Sequence, residues 1–477
     1  MCKANYGVLY NEVERMMVLL HESLEGTVNV YTMDLRGVGR STLLDCVATK
    51  AMTSGSLYGR LIHPLEVSSC ARELHRKYGD LASFSTTSAA IDVSTFISEY
   101  ANGMRTTVYG VSYGTLVVQR LMHFNPSNVT GYVLDGIVTT TGAPGDRAYL
   151  TSWDADFDDV CRRFMKRCAQ DSECDSHFKT TDLSATLHNV LSMFDTNPNS
   201  TCATLIRNST GCEPSEGLRR ELGMLLEKSA TRSLIPPLVY RLSRCGWNDL
   251  KVLTRYFEAI STIPPSIYKD TSELIYNMVT FSELWEIRTP SYAELEKRFT
   301  DASISSGALY EFLSLYCAFS KEESPACDGF ELDNYEANGI MYLRDQYYAM
   351  TPPVPDHASV LLMNDNLDPV THPRYAMSLY KALNTTRKEL VLFDYASHGV
   401  VNSTVFGDGV RTCGMELLVS YVAGNGALER LDKTCIAKMP AFDMTMSPED
   451  LRFYFGTDDA YDSVLIPSGL NGIVGSG

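Results

Sequence analysis

The chain has 477 residues, of which 44% are hydrophobic and 21% are charged, and its formal net charge is −17. This composition is typical of a globular protein and excludes a disordered chain, and the length predicts two domains or one core with a large insertion. The negative charge argues against nucleic-acid binding, and no apolar run is long enough to cross a bilayer.

The N-terminal part of the chain alternates predicted helices with predicted strands. Helices are predicted over residues 5–25, 89–100 and 113–124. Buried strands, rich in β-branched residues, are predicted over residues 27–33, 106–111 and 129–134, and a glycine-rich loop over residues 34–41. Because strands and helices alternate, a mostly parallel sheet is expected.

The pattern changes in the middle of the chain, where most of residues 144–355 have helical periodicity. Alternation then returns, with strands predicted over 359–363 and 389–393 and helices over 373–383 and 410–422. We therefore predict an α/β fold with a mostly parallel sheet and a large helical cap insertion. Residues 1–145 and 356–477 would form the core and residues 146–355 the cap, and residues 469–477 are expected to be a frayed end.

The sequence Gly110-Val-Ser112-Tyr113-Gly114 matches the pattern G-x-S-x-G. A buried strand precedes it and a helix follows it, which is the context of a nucleophilic serine on a sharp turn. Small residues on both sides of the serine let the backbone pack closely there. We predict Ser112 as the nucleophile and the backbone N–H of Tyr113 as one donor to the oxyanion.

A serine nucleophile needs a base and an acid that orients the base. His398 follows the last predicted strand, and of the nine histidines only this one lies in a loop after a late core strand. Asp365 and Asp368 both lie in the loop after the strand at 359–363. We prefer Asp368 because Pro369 stiffens the loop after it, and Asp365 is the alternative.

Thirteen cysteines lie in the chain, and several form short-range couples with no zinc-site spacing: Cys46 and Cys70, Cys202 and Cys212, Cys317 and Cys327, Cys413 and Cys435. Disulfides in an oxidising compartment are expected, and we predict Cys46–Cys70 and Cys413–Cys435 specifically. Five N-x-S/T sequons favour the same interpretation, with Asn128, Asn199, Asn208, Asn384 and Asn402 as acceptors. A secreted glycoprotein is therefore expected. The first residues are not a signal peptide, so the leader would be absent from this chain.

Four motifs occur in one order along the chain: DLRGVGRS at 34–41, GVSYG at 110–114, LDPVT at 367–371 and SHG at 397–399. Together they resemble the prolyl and tripeptidyl aminopeptidase branch of the α/β-hydrolases, serine peptidase family S33. The resemblance covers the core on both sides of the insertion and implies an α/β-hydrolase fold. It implies an exopeptidase that releases residues or short peptides from peptide N-termini through an acyl-enzyme on Ser112.

One departure from this family concerns the oxyanion hole. The family carries a Gly-Gly-Pro-Gly segment shortly before the loop that matches 34–41, and it supplies the other oxyanion amide. This chain begins with the helix that should follow that segment. We therefore expect that N-terminal strands, one of them central, and half of the oxyanion hole are missing from a truncated chain. Losing one oxyanion donor costs roughly a hundred- to a thousandfold in rate.

An aminopeptidase must also bind a free ammonium group, and the resembling enzymes place acids on the cap for this purpose. Glu283 ends an apolar stretch and is our candidate, with Glu286 second. No metal or nucleotide motif is present, so no cofactor is expected. The alternatives are an esterase or lipase-like hydrolase and a catalytically impaired binding protein of the same fold. The oligomeric state is left open.

Overall fold

Four parallel strands form the sheet that organises this protein, in the order β1-β2-β3-β4. The computed structural model describes residues 10–49, 61–102, 105–263, 272–406 and 411–466. The strands are β1 (Thr106–Val111), β2 (Val129–Asp135), β3 (Ser359–Asp365) and β4 (Lys388–Phe393). The predicted α/β class with a parallel sheet is confirmed.

The helices fall into three groups along the chain. The first group is α1 (Tyr10–Ser23), α2 (Pro64–Tyr78), α3 (Thr86–Glu99) and α4 (Tyr113–Met122). The second lies between β2 and β3 and comprises α5 (Trp153–Cys168), α6 (Ser172–His177), α7 (Leu183–Thr196), α8 (Thr201–Thr210), α9 (Pro214–Leu226), α10 (Ile235–Arg244), α11 (Trp247–Thr262), α12 (Glu273–Glu283), α13 (Tyr292–Asp301) and α14 (Leu313–Ser320). The third is α15 (Pro373–Ala382), α16 (Val400–Ser403), α17 (Cys413–Ala423) and α18 (Pro448–Asp450), followed by a π-helical turn at Leu451–Phe455.

Short 3₁₀ turns connect several of these elements, at Val47–Thr49, Leu81–Phe84, Pro144–Asp146, Leu150–Ser152, Arg232–Leu234, Leu309–Phe312, Leu428–Arg430 and Ile436–Lys438.

Helices cover both faces of the sheet because side chains alternate along each strand. Tyr132 and Leu134 of β2 pack in one cluster with residues of α3, α4 and α15. Val133 faces the other way, into a cluster that includes residues of α17 and, at its edge, Met16 of α1. The sheet is therefore buried on both sides, as parallel sheets usually are.

The carboxyl ends of the strands meet at one edge of the sheet. Val111 pairs with Asp135, and Asp365 pairs with Phe393. The turn after β1 and the loops after β3 and β4 carry Ser112, Asp368 and His398, so parallel pairing brings these three residues to the same edge.

The helical insertion has its own core, with buried residues contributed by α5, α7, α9, α10 and α11. Residues near the C-terminus, including Met444, Phe455 and Tyr461, pack into the same cluster. An ion pair connects α5 of the insertion to α15 of the core. The distance between the Arg374 guanidinium and the Asp156 carboxylate is 2.8 Å.

Residues 27–33 do not form the predicted buried strand, and this prediction is wrong. They run as irregular chain, and Tyr31 is 47% exposed. On its outer side β1 has no neighbouring strand among the described residues. A strand is stabilised by pairing and packing more than by intrinsic propensity, so β-branched residues without a partner strand remain irregular.

The other predicted elements appear with boundaries close to those expected. The exception is the end of the helical region, which was predicted to reach about residue 355 but stops at Ser320. After Ser320 the chain up to β3 has no regular helix or strand. Proline, glycine and aspartate are frequent in this segment, at Pro325, Gly329, Gly339 and Pro352–Pro353 among other positions, and they favour turns. The N-terminal end of the predicted helix 5–25, residue 410 of the predicted helix 410–422 and the predicted frayed end at 469–477 lie outside the described residues.

Both predicted disulfides are present, Cys46–Cys70 with an S–S distance of 2.10 Å and Cys413–Cys435 with 1.97 Å. The described residues contain three further bridges: Cys168–Cys174, Cys202–Cys245 and Cys317–Cys327. Cys202 thus joins α8 to the end of α10 rather than pairing with its near neighbour Cys212. In the part of the chain that the structure describes, we find no helix long and apolar enough to span a membrane.

Candidate active site

Ser112 lies on a strained turn between β1 and α4. Its backbone has φ 55° and ψ −126°, a left-handed conformation that residues other than glycine rarely adopt. Gly110 permits the turn, because a Cβ atom at this position would lie 2.5 Å from the carbonyl oxygen of Gly114. The G-x-S-x-G pattern therefore has a steric reason here. The sharp turn presents Ser112 to a cavity instead of continuing the strand.

That cavity has a volume of about 2730 Å³, and both Ser112 and His398 line it. Its walls come from the core and from the helical insertion, with Leu225 of α9 and Ile275 of α12 among the lining residues. Ligand sites for small molecules usually occupy roughly 300–1,000 Å³. This cavity is larger and has room for a peptide or a long acyl chain.

His398 is held by Asp368. The Nδ1 atom of His398 donates a hydrogen bond to Asp368 Oδ2 over 2.9 Å. Asp368 is fully buried, and its other oxygen accepts hydrogen bonds from the backbone N–H groups of Val370 and Thr371, each at 2.9 Å. Because Nδ1 carries the proton, Nε2 of His398 is the atom left to accept one.

Thr371 completes this arrangement. Its hydroxyl donates a hydrogen bond to Asp368 Oδ2 over 2.7 Å and lies 3.1 Å from His398 Nδ1. The same carboxylate oxygen therefore receives both the imidazole and the threonine hydroxyl. The threonine belongs to the LDPVT motif, and the motif was the only sequence signal that could have indicated its role.

The pKa of His398 is raised above its usual value of 6.5. Burial lowers the pKa, but the charge of Asp368, the hydrogen bond to Asp368 and the charges of Asp135 and Glu227 outweigh it. The positive imidazolium is thus stabilised at the position where a base would receive a proton.

Asp365, the alternative acid, does not contact His398. Its carboxylate accepts hydrogen bonds from the backbone N–H groups of Leu367 and Ala396, each at 2.6 Å. Burial raises the pKa of Asp365 to about 7, against the effect of these hydrogen bonds and of the charge of Arg232. Asp365 therefore connects the loop after β3 to the loop after β4, and the geometry favours Asp368 as the partner of the histidine.

Tyr113 is the first residue of α4, directly after Ser112. The N–H groups of the first helical turn have no partner within the helix, and the helix dipole favours negative charge near them. The phenol oxygen of Tyr113 lies 3.2 Å from the hydroxyl of Thr86, and this hydrogen bond holds the side chain of Tyr113 in place. This position suits the predicted role of its backbone N–H.

Glu283 lies apart from the cavity. It is 1% exposed, accepts a hydrogen bond from Tyr342 at 3.1 Å and lies 3.4 Å from Arg120. It is not among the residues that line the cavity, and neither is Glu286, which pairs with Arg298 at 2.7 Å. Arg120, a basic residue of α4, already neutralises the carboxylate of Glu283.

Five acids of the helical insertion do line the cavity, and the sequence analysis singled out none of them: Asp156, Glu221, Glu227, Glu273 and Glu311. Glu227 follows α9, and Glu273 begins α12. Burial raises the pKa of each of these two glutamates by more than their hydrogen bonds lower it. The charges of both glutamates also raise the pKa of Tyr276. Glu227 also acts on His398. No local motif marks either acid, because helices of the insertion bring them together.

Within the described ranges, no group of three or more histidine, cysteine, aspartate or glutamate side chains could hold a metal ion.

Comparison with known proteins adds little to this description. No known protein family matches the sequence. No curated protein matches it either. Among solved structures, the chain is similar to a monoacylglycerol lipase of Paleococcus ferrophilus, with 12% sequence identity and a TM-score of 0.32 over 88% of this chain and 91% of that one. A likeness this weak says nothing about substrate.

Proposed function

We propose that this protein is a serine hydrolase in which Ser112, His398 and Asp368 form the catalytic triad. The observation that carries the proposal is the strained turn at Ser112, which opens into the same cavity as a histidine oriented by a buried carboxylate. Strain of this kind persists only where the surrounding structure enforces it, and it is frequent at active sites.

The geometry supports a two-step reaction. Ser112 Oγ attacks an acyl carbonyl carbon while His398 Nε2 takes its proton, and Asp368 stabilises the imidazolium that forms. The backbone N–H of Tyr113 donates to the oxyanion of the tetrahedral intermediate. The imidazolium then protonates the leaving group, and an acyl-enzyme remains on Ser112. Water, activated by His398, releases the acyl group and restores the serine.

The substrate class that we propose is a peptide with a free N-terminus, from which residues or short peptides are released. Glu227 and Glu273 support this choice, since both face the cavity and both have a raised pKa because of burial. A buried carboxylate is stabilised by a nearby cation, and the α-ammonium group of a peptide would supply one. Both acids line the same cavity as Ser112, so an ammonium group bound there would hold the first peptide bonds in the cavity that contains the serine.

The test has two parts. A fluorophosphonate probe, which reacts only with an activated serine, should label the wild-type chain and not Ser112→Ala. The second part uses aryl amides of one peptide, with either a free or an acetylated N-terminus. The peptide with the free N-terminus should have a kcat/KM at least tenfold higher, and Glu227→Gln and Glu273→Gln should reduce this ratio. Absence of labelling would end the hydrolase proposal, and equal turnover of both peptides would end the aminopeptidase proposal.

An esterase or lipase-like hydrolase is the second candidate. The apolar side chains that line much of the cavity, such as Leu19, Val38 and Ile62, favour it. Such an enzyme would hydrolyse aryl esters of long acyl chains faster than short ones, and Glu273→Gln would leave its rates unchanged. A binding protein of the same fold would show neither labelling nor turnover.

The place of action is also a proposal. Five disulfides among the described residues fit an oxidising compartment and hence a secreted protein. The division into a core of residues 1–145 and 356–477 and a cap of residues 146–355 remains a proposal too. It could be tested by limited proteolysis near both boundaries.

A further inference from the structure

Asp135 is a buried carboxylate at the edge of the sheet where the triad lies, and the triad does not use it. It is the last residue of β2 and is fully buried. Its backbone carbonyl oxygen accepts a hydrogen bond from the N–H of Ser112 over 2.9 Å. The residue thus contacts the nucleophile's turn directly through its main chain.

The side chain of Asp135 holds the other part of the site. Oδ1 accepts a hydrogen bond from the N–H of Val400 at 2.8 Å, and Oδ2 accepts one from the N–H of Val401 at 3.0 Å. These are the second and third residues after His398. The hydroxyl of Tyr109 also donates to Oδ2, over 2.9 Å. One residue therefore binds the turn of the serine and the loop of the histidine.

The imidazole of His398 lies against the backbone that follows Asp135. Gly136 has φ +60°, and a Cβ atom there would lie 2.9 Å from Cε1 of His398. The end of β2 therefore forms a surface on which the ring rests. Any shift of Val400 and Val401 would move the ring relative to this surface.

The charge of Asp135 is costly to bury, and the hydrogen-bond donors around it require a carboxylate. Burial raises the pKa of Asp135, while the hydrogen bonds from Val401, Val400 and Tyr109 and the charge of His398 lower it. All three of these donors need acceptors, which a carboxylate supplies on both oxygens. An asparagine would offer one acceptor and one donor, so an amide N–H would lose its partner.

We propose that Asp135 is a positioning residue of the reaction, which holds the backbone after His398 in register with the turn of Ser112 and faces the imidazole with a negative charge. This inference rests on the proposed function. The charged groups that act on His398 are Asp368, Asp135 and Glu227. Asp135 differs from the other two because it also contacts the serine's turn.

The experiment compares wild type with Asp135→Asn and Asp135→Ser, which both remove the charge. Asp365→Asn is the matched control, because it also removes a buried carboxylate that accepts two backbone amides, one of them at Ala396 just before the histidine. Hydrolysis of an aryl ester is measured across pH. The titration of His398 is measured independently by NMR of the labelled imidazole, which requires no turnover.

Asp135→Asn should lower kcat about ten- to a hundredfold with little change in KM, because a misplaced catalytic group slows the chemical step. It should also move the acid limb of kcat/KM and the NMR titration of His398 down by about 0.5–1 pH unit, since a negative charge has gone. Asp365→Asn should move the His398 titration less.

The proposal would be overturned if Asp135→Asn and Asp135→Ser both fold, retain the kcat of wild type and leave the His398 titration unchanged. Failure of both variants to fold, or an equal shift in Asp365→Asn, would also overturn it, since either result would assign Asp135 to the fold alone. If wild type neither reacts with the fluorophosphonate nor hydrolyses the ester, the proposed function fails. The NMR titration then still decides whether Asp135 acts on His398.

Discussion

Thr371 and His398 share one oxygen of Asp368: the threonine hydroxyl donates to Oδ2 over 2.7 Å and the imidazole Nδ1 donates to it over 2.9 Å. The hydroxyl of Thr371 thus helps to hold the carboxylate in the orientation in which it binds His398. Thr371→Val keeps the shape and removes the hydroxyl. We expect kcat to fall about tenfold, the effect of losing one hydrogen bond to a charged group of about 1.5 kcal/mol.

Thr371→Ser is the control for that change, because it retains the hydroxyl and loses only a methyl group. Its kcat should stay within about threefold of wild type, whereas equal losses in the valine and serine variants would mean that the methyl group matters more than the hydrogen bond.

Asp365, at the end of β3, and Asp368, in the loop after it, should respond very differently to the same substitution. Asp368→Asn should lower kcat by about four orders of magnitude, because an amide in place of the carboxylate favours the wrong tautomer of His398. Asp365→Asn should lower kcat at most about tenfold and act mainly on thermal stability, since Asp365 bonds to backbone amides. Steady-state hydrolysis of an aryl ester measures both, and a larger loss in Asp365→Asn would exchange their roles.

The pH profile of kcat/KM should have an acid limb with its midpoint above 6.5. Only the neutral imidazole can accept the proton of Ser112, so activity rises as pH increases through the pKa of His398. The environment, chiefly Asp368, raises that pKa above 6.5, which moves the limb to higher pH. The rate of fluorophosphonate labelling should follow the same limb. A midpoint clearly below 6.5 would contradict the arrangement of His398 and Asp368 described here.

Glu283→Gln should act on stability and leave substrate choice unchanged. Glu283 and Arg120 are 1% and 3% exposed, so the substitution leaves a buried cation with less compensation. We expect the free energy of unfolding to fall by about 3 kcal/mol. The ratio of kcat/KM for free and acetylated peptides should be that of wild type. A selective loss for the free peptide would restore Glu283 as an amine-binding residue.

Glu286→Gln is the comparison for Glu283→Gln, because it removes a glutamate from a more exposed ion pair. Its ion pair with Arg298 is partly exposed, with 24% and 30% of the two side chains accessible. Such pairs contribute little, so stability should fall by less than about 1 kcal/mol. A loss equal to that of Glu283→Gln would show that burial does not determine the cost.

Much of the core could be predicted from local patterns. The strands β1, β2, β3 and β4 contain short apolar runs, β1 and β2 are rich in β-branched residues, and these features depend on neighbours in sequence. The turn at Ser112 was predictable for the same reason, since the steric requirement at Gly110, whose Cβ would meet the carbonyl oxygen of Gly114, lies within five residues. The two disulfides that close short loops also followed from spacing.

The predictions that failed or remained open depended on contacts between distant residues. Residues 27–33 have strand composition but no partner strand among the described residues, and composition cannot supply one. Glu283 has the local features of a binding acid, yet a residue 163 positions earlier in the chain neutralises it. Cys202 pairs with Cys245 because the tertiary structure brings the end of α10 next to α8, not because of spacing.

The amino-acid sequence thus determined the class of fold, the serine on its turn and the histidine after the last strand, because each depends on local backbone geometry and on the order of elements. Only the tertiary structure showed that Asp368 and not Asp365 bonds to His398, placed Glu227 and Glu273 at the cavity and brought Asp135 against the loop of His398. These relations arise where separate strands and helices meet, and no periodicity or spacing encodes which of several buried carboxylates will face a given imidazole.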